Sequence, residues 1–180
     1  MTAAPQPGAT AAGTAAREPH ILVAGVGNIF LRDDGFGPEV ARRLAAEPER
    51  AAPGVLAVDY GIRGMHLAYD LLAGVDVLVL VDTVPPDPKE HTVPGSIRVL
   101  QVRTEDLDRT ASLDPHGMDP VAVLGRLRSL GGALPPTYVV GCVPADVTEG
   151  VGLTPPVGAA VAPAMAAVEQ LIAQHTSVSS

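Results

Sequence analysis

Five short runs of apolar, often β-branched residues punctuate the chain: His20–Val26, Val55–Asp59, Val77–Asp82, Ser96–Gln101 and Thr137–Cys142. Their length and composition predict strands. The apolar positions are near-continuous rather than alternating, which predicts a sheet covered on both faces. Between the runs the period changes. Pro38–Leu44 opens on a proline, which a first helical turn tolerates. Met65–Ala73 places Leu67, Ala68, Leu71 and Leu72 at helical spacing. Pro120–Leu130 repeats Val121, Leu124, Leu127 and Leu130 at spacings of three. Val157–Gln174 is Ala-rich, with Val161, Met165, Val168, Leu171 and Ile172 on one stripe. The order βαβαβ, then β, α, β, α, predicts an α/β fold: an open three-layer, mainly parallel sheet with helices on both faces. The one direct strand-to-strand link, Thr83–Gly95, is proline-rich and leaves room for an antiparallel strand.

The ends lack this patterning. Residues 1–19, mostly Ala, Thr, Pro and Gly, read as a flexible lead-in, with neither the basic nor the apolar region of a signal peptide. Residues 20–175 read as a single α/β domain and 176–180 as a fraying end. No apolar run approaches a membrane span, the best being Val77–Val81.

Composition narrows the partners. With 12 Lys and Arg against 20 Asp and Glu, the formal net charge is -8. Such a chain is poorly suited to nucleic acid or anionic membrane surfaces. Aromatic residues are 3 % of the chain and tryptophan is absent, so base-stacking platforms are not expected. Cys142 is the only cysteine, which rules out an intrachain disulfide and a four-cysteine zinc site, and suits a cytoplasmic setting.

In open α/β sheets the ligand site lies beyond the carboxyl ends of the strands. There the sequence places Gly25-Val26-Gly27-Asn28 followed by Asp33-Asp34-Gly35-Phe36-Gly37, then Asp59, Asp82, the loop Asp114-Pro115-His116-Gly117, and Asp146. A dinucleotide fits badly: Phe30 stands where the third glycine belongs, and two adjacent carboxylates would repel a pyrophosphate. No nucleotide is expected. No Gly-x-Ser-x-Gly elbow or HExxH occurs, and Cys142 ends an apolar strand where an inert thiol belongs. What remains is Asp34, Asp82 and His116, a mixed oxygen–nitrogen set suited to nickel or zinc. A helix N-terminus beside His116 would keep its ring neutral and able to ligate. Each residue has a plainer reading. Asp34 could cap the first helix, Asp82 could satisfy amides at a strand end, and His116 could be a capping or surface residue.

The segment from Ile21 through Val26-Gly27-Asn28-Ile29-Phe30-Leu31-Arg32-Asp33-Asp34 to Gly37 closely resembles the opening of the hydrogenase maturation endopeptidases. The likeness continues through Leu78–Val84, Pro115-His116-Gly117-Met118, Val140–Pro144 and Gly152–Val157, in the family's order. The resemblance implies a twisted five-stranded sheet flanked by helices. It implies removal of a C-terminal peptide from the large-subunit precursor of a [NiFe] hydrogenase once nickel is inserted. Carried over by position, the metal-contacting residues are Asp34, where the family has Glu or Asp, then Asp82 and His116. The nickel ion would come with the precursor. Asp59-Tyr60-Gly61 follows the family's Asp-Gly-Gly-like turn loosely, so Asp59 is a secondary substrate-binding candidate, or simply a turn residue. Asn28 is a second: it would bond Asp34 or the substrate, or be a turn residue in left-handed geometry. Gly35 and Gly37 are expected to permit tight turns. A rival reading is a nickel-sensing chaperone that binds the same precursor and cuts nothing.

Overall fold

The computed structural model describes residues 19–50, 52–105 and 120–177. Of the lead-in expected from sequence only Pro19 is described; of the expected C-terminal end, Thr176 closes the last helix and Ser177 is its C-cap, and the rest, like His116, falls outside the described residues.

Five strands form one sheet: β1 (Ile21–Val26), β2 (Val55–Gly61), β3 (Val77–Thr83), β4 (Ile97–Val102) and β5 (Thr137–Cys142), in the order β2-β1-β3-β5-β4. Pairings are parallel except β4 with β5, which is antiparallel. The proline-rich link after β3 thus feeds the one reversed strand, on an edge. Four helices are assigned among the described residues: α1 (Phe36–Ala46), α2 (Gly64–Leu72), α3 (Pro120–Ser129) and α4 (Pro155–Thr176).

Alternation along the strands makes two cores. Ile21, Val23, Val77, Val79 and Val81 pack against Phe36, Val40 and Leu44 of α1 and Val157, Val161, Met165 and Val168 of α4. Leu22, Ala24, Leu78 and Leu80 pack on the other face against Leu67, Ala68 and Leu71 of α2 and Leu124 and Leu127 of α3. The central strands β1 and β3 are buried on both faces, as continuous apolar runs require.

Two expected stripe positions differ. Leu72 is 41 % exposed and Leu130, one residue past α3, is 49 % exposed. Both lie where their helices end and turn off the sheet, and Val123 takes the inner position instead. The expectation of no span-length apolar segment is also corrected. α4 has 22 residues and is long and apolar enough, by length and composition alone, to cross a membrane. It carries Glu169, paired with Arg50 at 3.2 Å, and its apolar stripe is buried against the sheet.

Candidate functional site

The site is built at the carboxyl rim of β1 and β3. β1 delivers the chain into a loop and a short 3-10 turn, Arg32–Gly35, that leads directly into α1. This entry is tight. A side chain at Gly37 would overlap the carbonyl oxygens of Val81 and Val26. Gly37 therefore lets α1 lie against two strands, rather than serving a turn. Gly35 has φ -74° and is likewise no left-handed turn; a Cβ there would come within 3.2 Å of Ile29 Cα.

Asp34 does not cap α1, whose N-cap is Gly35 with no side-chain bond. Its carboxylate turns back to the rim. Oδ2 accepts from the Asn28 backbone N–H at 2.8 Å, and Oδ1 accepts from the Thr83 hydroxyl at 3.2 Å. Asp82, 9 % exposed at the end of β3, accepts on Oδ1 from the Thr83 backbone N–H at 2.7 Å. Thr83 thus holds both acids, one through its hydroxyl and one through its amide. Acids 48 apart in sequence thus meet on one residue. Two carboxylates sharing a donor residue form an oxygen-rich edge of the kind that suits a divalent cation. Among the described residues no group of three His, Cys, Asp or Glu is arranged to hold a metal.

Asn28 bonds Asp34, but through its backbone amide. Its side-chain oxygen instead accepts from Phe30 N–H at 3.0 Å, closing an Asx turn. It is not among the residues with left-handed backbone, which corrects that part of the expectation. Asp59 stands in register with Gly25 on the outer strand β2. Its carbonyl accepts from the Arg63 guanidinium at 2.6 Å, as a turn residue would. Two strand spacings place it about 10 Å along the rim from β3.

Asp33 is the residue whose importance the sequence concealed. It is fully buried. Oδ2 accepts from Ala145 N–H at 2.8 Å and Asp146 N–H at 2.9 Å, and Oδ1 from Thr154 N–H at 2.7 Å. The Thr154 hydroxyl reaches both oxygens, at 3.0 and 2.8 Å. Burial alone would raise the carboxyl's pKa. The bonds from Thr154, Asp146 and Ala145 outweigh it and hold Asp33 below the usual range. Thr154 is also the N-cap of α4, so the charge sits at the positive end of that helix.

Cys142 is buried, and its thiol is pushed up to about 11, first by burial and then by the charge of Asp33. It is expected to stay unalkylated by iodoacetamide at pH 7 in the folded protein and to react once the protein is denatured, as read by intact mass. Rapid modification of the native chain would contradict its placement in the core.

The flanking loops are apolar outward. Ile29 is 50 %, Phe30 63 % and Val151 76 % exposed. The two loops are laced by Gly150 N–H to Phe30 O at 2.8 Å and Arg32 N–H to Gly150 O at 3.0 Å. Rigid loops that display large apolar side chains suit a macromolecular partner.

Comparison with known proteins agrees with this architecture. The family model HycI, hydrogenase maturation protease, matches residues 38–171, a stretch beginning just after Asp34. The hydrogenase 2 maturation protease of Escherichia coli (strain K12) is 32 % identical over 155 residues, 86 % of this chain and 89 % of that protein. The solved structure of the hydrogenase maturating endopeptidase HybD from E. coli superposes with a TM-score of 0.70 at 29 % identity, covering 87 % of this chain and 93 % of that one. The solution structure of an endopeptidase from E. coli gives a TM-score of 0.66 at 32 % identity, covering 83 % of this chain and 89 % of that one. By its matched length, its identity to curated relatives and its five-stranded sheet, the chain belongs to the hydrogenase maturation protease family.

Proposed function

We propose that this chain is an endopeptidase that removes the C-terminal peptide of a nickel-loaded [NiFe] hydrogenase large-subunit precursor. What carries the reading is the pair of carboxylates, Asp34 and Asp82, assembled on Thr83 at the carboxyl rim. The nickel is part of the substrate. Asp34 and Asp82 contact it, and His116 completes the set. His116 lies four residues before Pro120. α3 leads by way of Gly131–Pro136 into β5, which runs parallel to β3, so α3 begins at the rim where β3 ends. That connectivity supports His116 as the third contact.

Clasping the metal fixes the precursor's C-terminal segment against the rim, and this gives the entropic advantage of a held scissile bond. Hydrolysis adds the water oxygen to the scissile carbonyl carbon, breaks the C–N bond and passes a proton to the leaving amine. Nickel at the carbonyl, or at the water, would ease that step. Asn28 beside Asp34, and Asp59 about 10 Å along the rim from β3, flank the path of an extended peptide. Exposed Ile29, Phe30 and Val151 give the folded precursor an apolar footing.

The test is incubation with the large-subunit precursor, with and without nickel, followed by mass spectrometry. Release of a C-terminal peptide from the nickel-loaded form alone is expected. A stable complex without release would instead identify a nickel-sensing chaperone.

A further inference from the structure

Asp33 ties three separate stretches of chain together immediately beside the nickel-contacting acid. Its neighbour Asp34 is presented to Asn28 and Thr83 by the 3-10 turn Arg32–Gly35, whose own backbone contributes a bond from Asp34 N–H to Leu31 O at 3.1 Å. Leu31 presents no capping side chain, and Arg32 has left-handed backbone at φ 47°. Further anchors come from across the fold. The Asp33 carboxylate gathers donors from Ala145, Asp146 and Thr154, while its own N–H donates to Asp146 O at 3.1 Å. One side of the turn is therefore locked to the loop after β5 and to the start of α4. The other side presents Asp34 to Asn28 and Thr83.

We propose that Asp33 is a positioning residue: it acts through Asp34, holding that carboxylate in place so that the rim distinguishes a nickel-loaded precursor from an empty one. The proposal rests on the functional reading above. Asn at this position keeps the volume but replaces one acceptor oxygen by an N–H2 group facing bonds that need acceptors. The turn would loosen on its anchored side, and Asp34 would no longer sit at fixed reach from Thr83. A bond network that served only folding would weaken the protein without changing which precursor it prefers.

The experiment measures binding and cleavage of the large-subunit precursor, prepared with and without nickel, by the full-length chain. The variants are D33N and T154V, the latter removing only the hydroxyl donor and keeping all three backbone donors. Melting temperature is followed in parallel. The wild-type chain is expected to favour the nickel-loaded precursor. D33N is expected to lose at least about 10-fold of that preference, through weaker binding of the loaded form with the empty form unchanged, and T154V to lose a smaller part. A D33N or T154V chain with a lower melting temperature but undiminished preference would overturn the proposal. Should D33N not fold, T154V decides alone on the same criterion. A wild-type chain that treats both precursors alike would instead sink the nickel-recognition reading, and the role of Asp33 falls with it.

Discussion

Asp82→Asn is expected to lower peptide release from the nickel-loaded precursor by about 100-fold or more while leaving the fold intact. The substitution keeps shape and keeps an acceptor. An amide oxygen can still take the Thr83 N–H that Asp82 Oδ1 takes at 2.7 Å. What it removes is the negative charge that a divalent cation needs, so the precursor is no longer held at the distance and angle that cleavage requires. Loss of such alignment alone costs on the order of 100-fold. Asp34→Asn should behave alike. Its oxygen can keep the Asn28 N–H, and the Thr83 hydroxyl can accept from the new N–H2 group instead of donating. Rates are read by mass spectrometry of the precursor, and folding by circular dichroism and thermal melting. If either folded variant released peptide at the parental rate, its carboxylate would have no part in handling nickel.

The two acids differ in how visible they are in the chain itself. Asp82 ends an uninterrupted apolar run, Val77–Val81, so its position at a strand end follows from the hydrophobic pattern. The strand set and its mainly parallel arrangement follow from the same periodicities, and the proline-rich Thr83–Gly95 link leaves room for the reversal seen at β4. Asp33 and Asp34 are another matter. They are adjacent and chemically identical, and nothing local says which turns inward. The answer lies in donors 112 to 121 residues downstream. Thr83 was equally hidden. It looks like a strand residue following Asp82, and its hydroxyl gains meaning only when the loop after β1 folds back over β3. Asn28 shows the same limit, since its contact to Asp34 is made by backbone, which side-chain identity does not report. The exposed Leu72 and Leu130 are a simpler matter. Periodicity marks which face a residue is on, but not where a helix leaves the sheet.

Gly27→Ala should be a strongly damaging single-methyl change at the rim, and the one that acts most directly on Asp34. Gly27 has φ +141°, which side chains rarely adopt, and a Cβ there would overlap the carbonyl oxygen of Asp34 itself. It would also approach Pro38 Cδ at 3.4 Å, so the turn cannot relax toward α1 without pushing that helix. Overpacking of this kind costs about 1–3 kcal/mol. Activity should fall further than stability suggests, by about 100-fold, because the displaced group is the backbone that carries the carboxylate proposed to contact nickel. A comparison variant separates strain from displacement. Gly74, with φ +103°, follows α2 at the opposite end of the sheet, and a Cβ there meets nothing within 4 Å. Gly74→Ala should cost about 1–2 kcal/mol of backbone strain and leave peptide release near the parental rate at temperatures below its melting point. The pair is compared by chemical denaturation and by release kinetics on the same nickel-loaded precursor. Equal activity losses in the two variants would mean that general destabilisation, rather than movement of Asp34, limits cleavage. A selective loss in Gly27→Ala would locate the requirement in the turn that β1 feeds into α1.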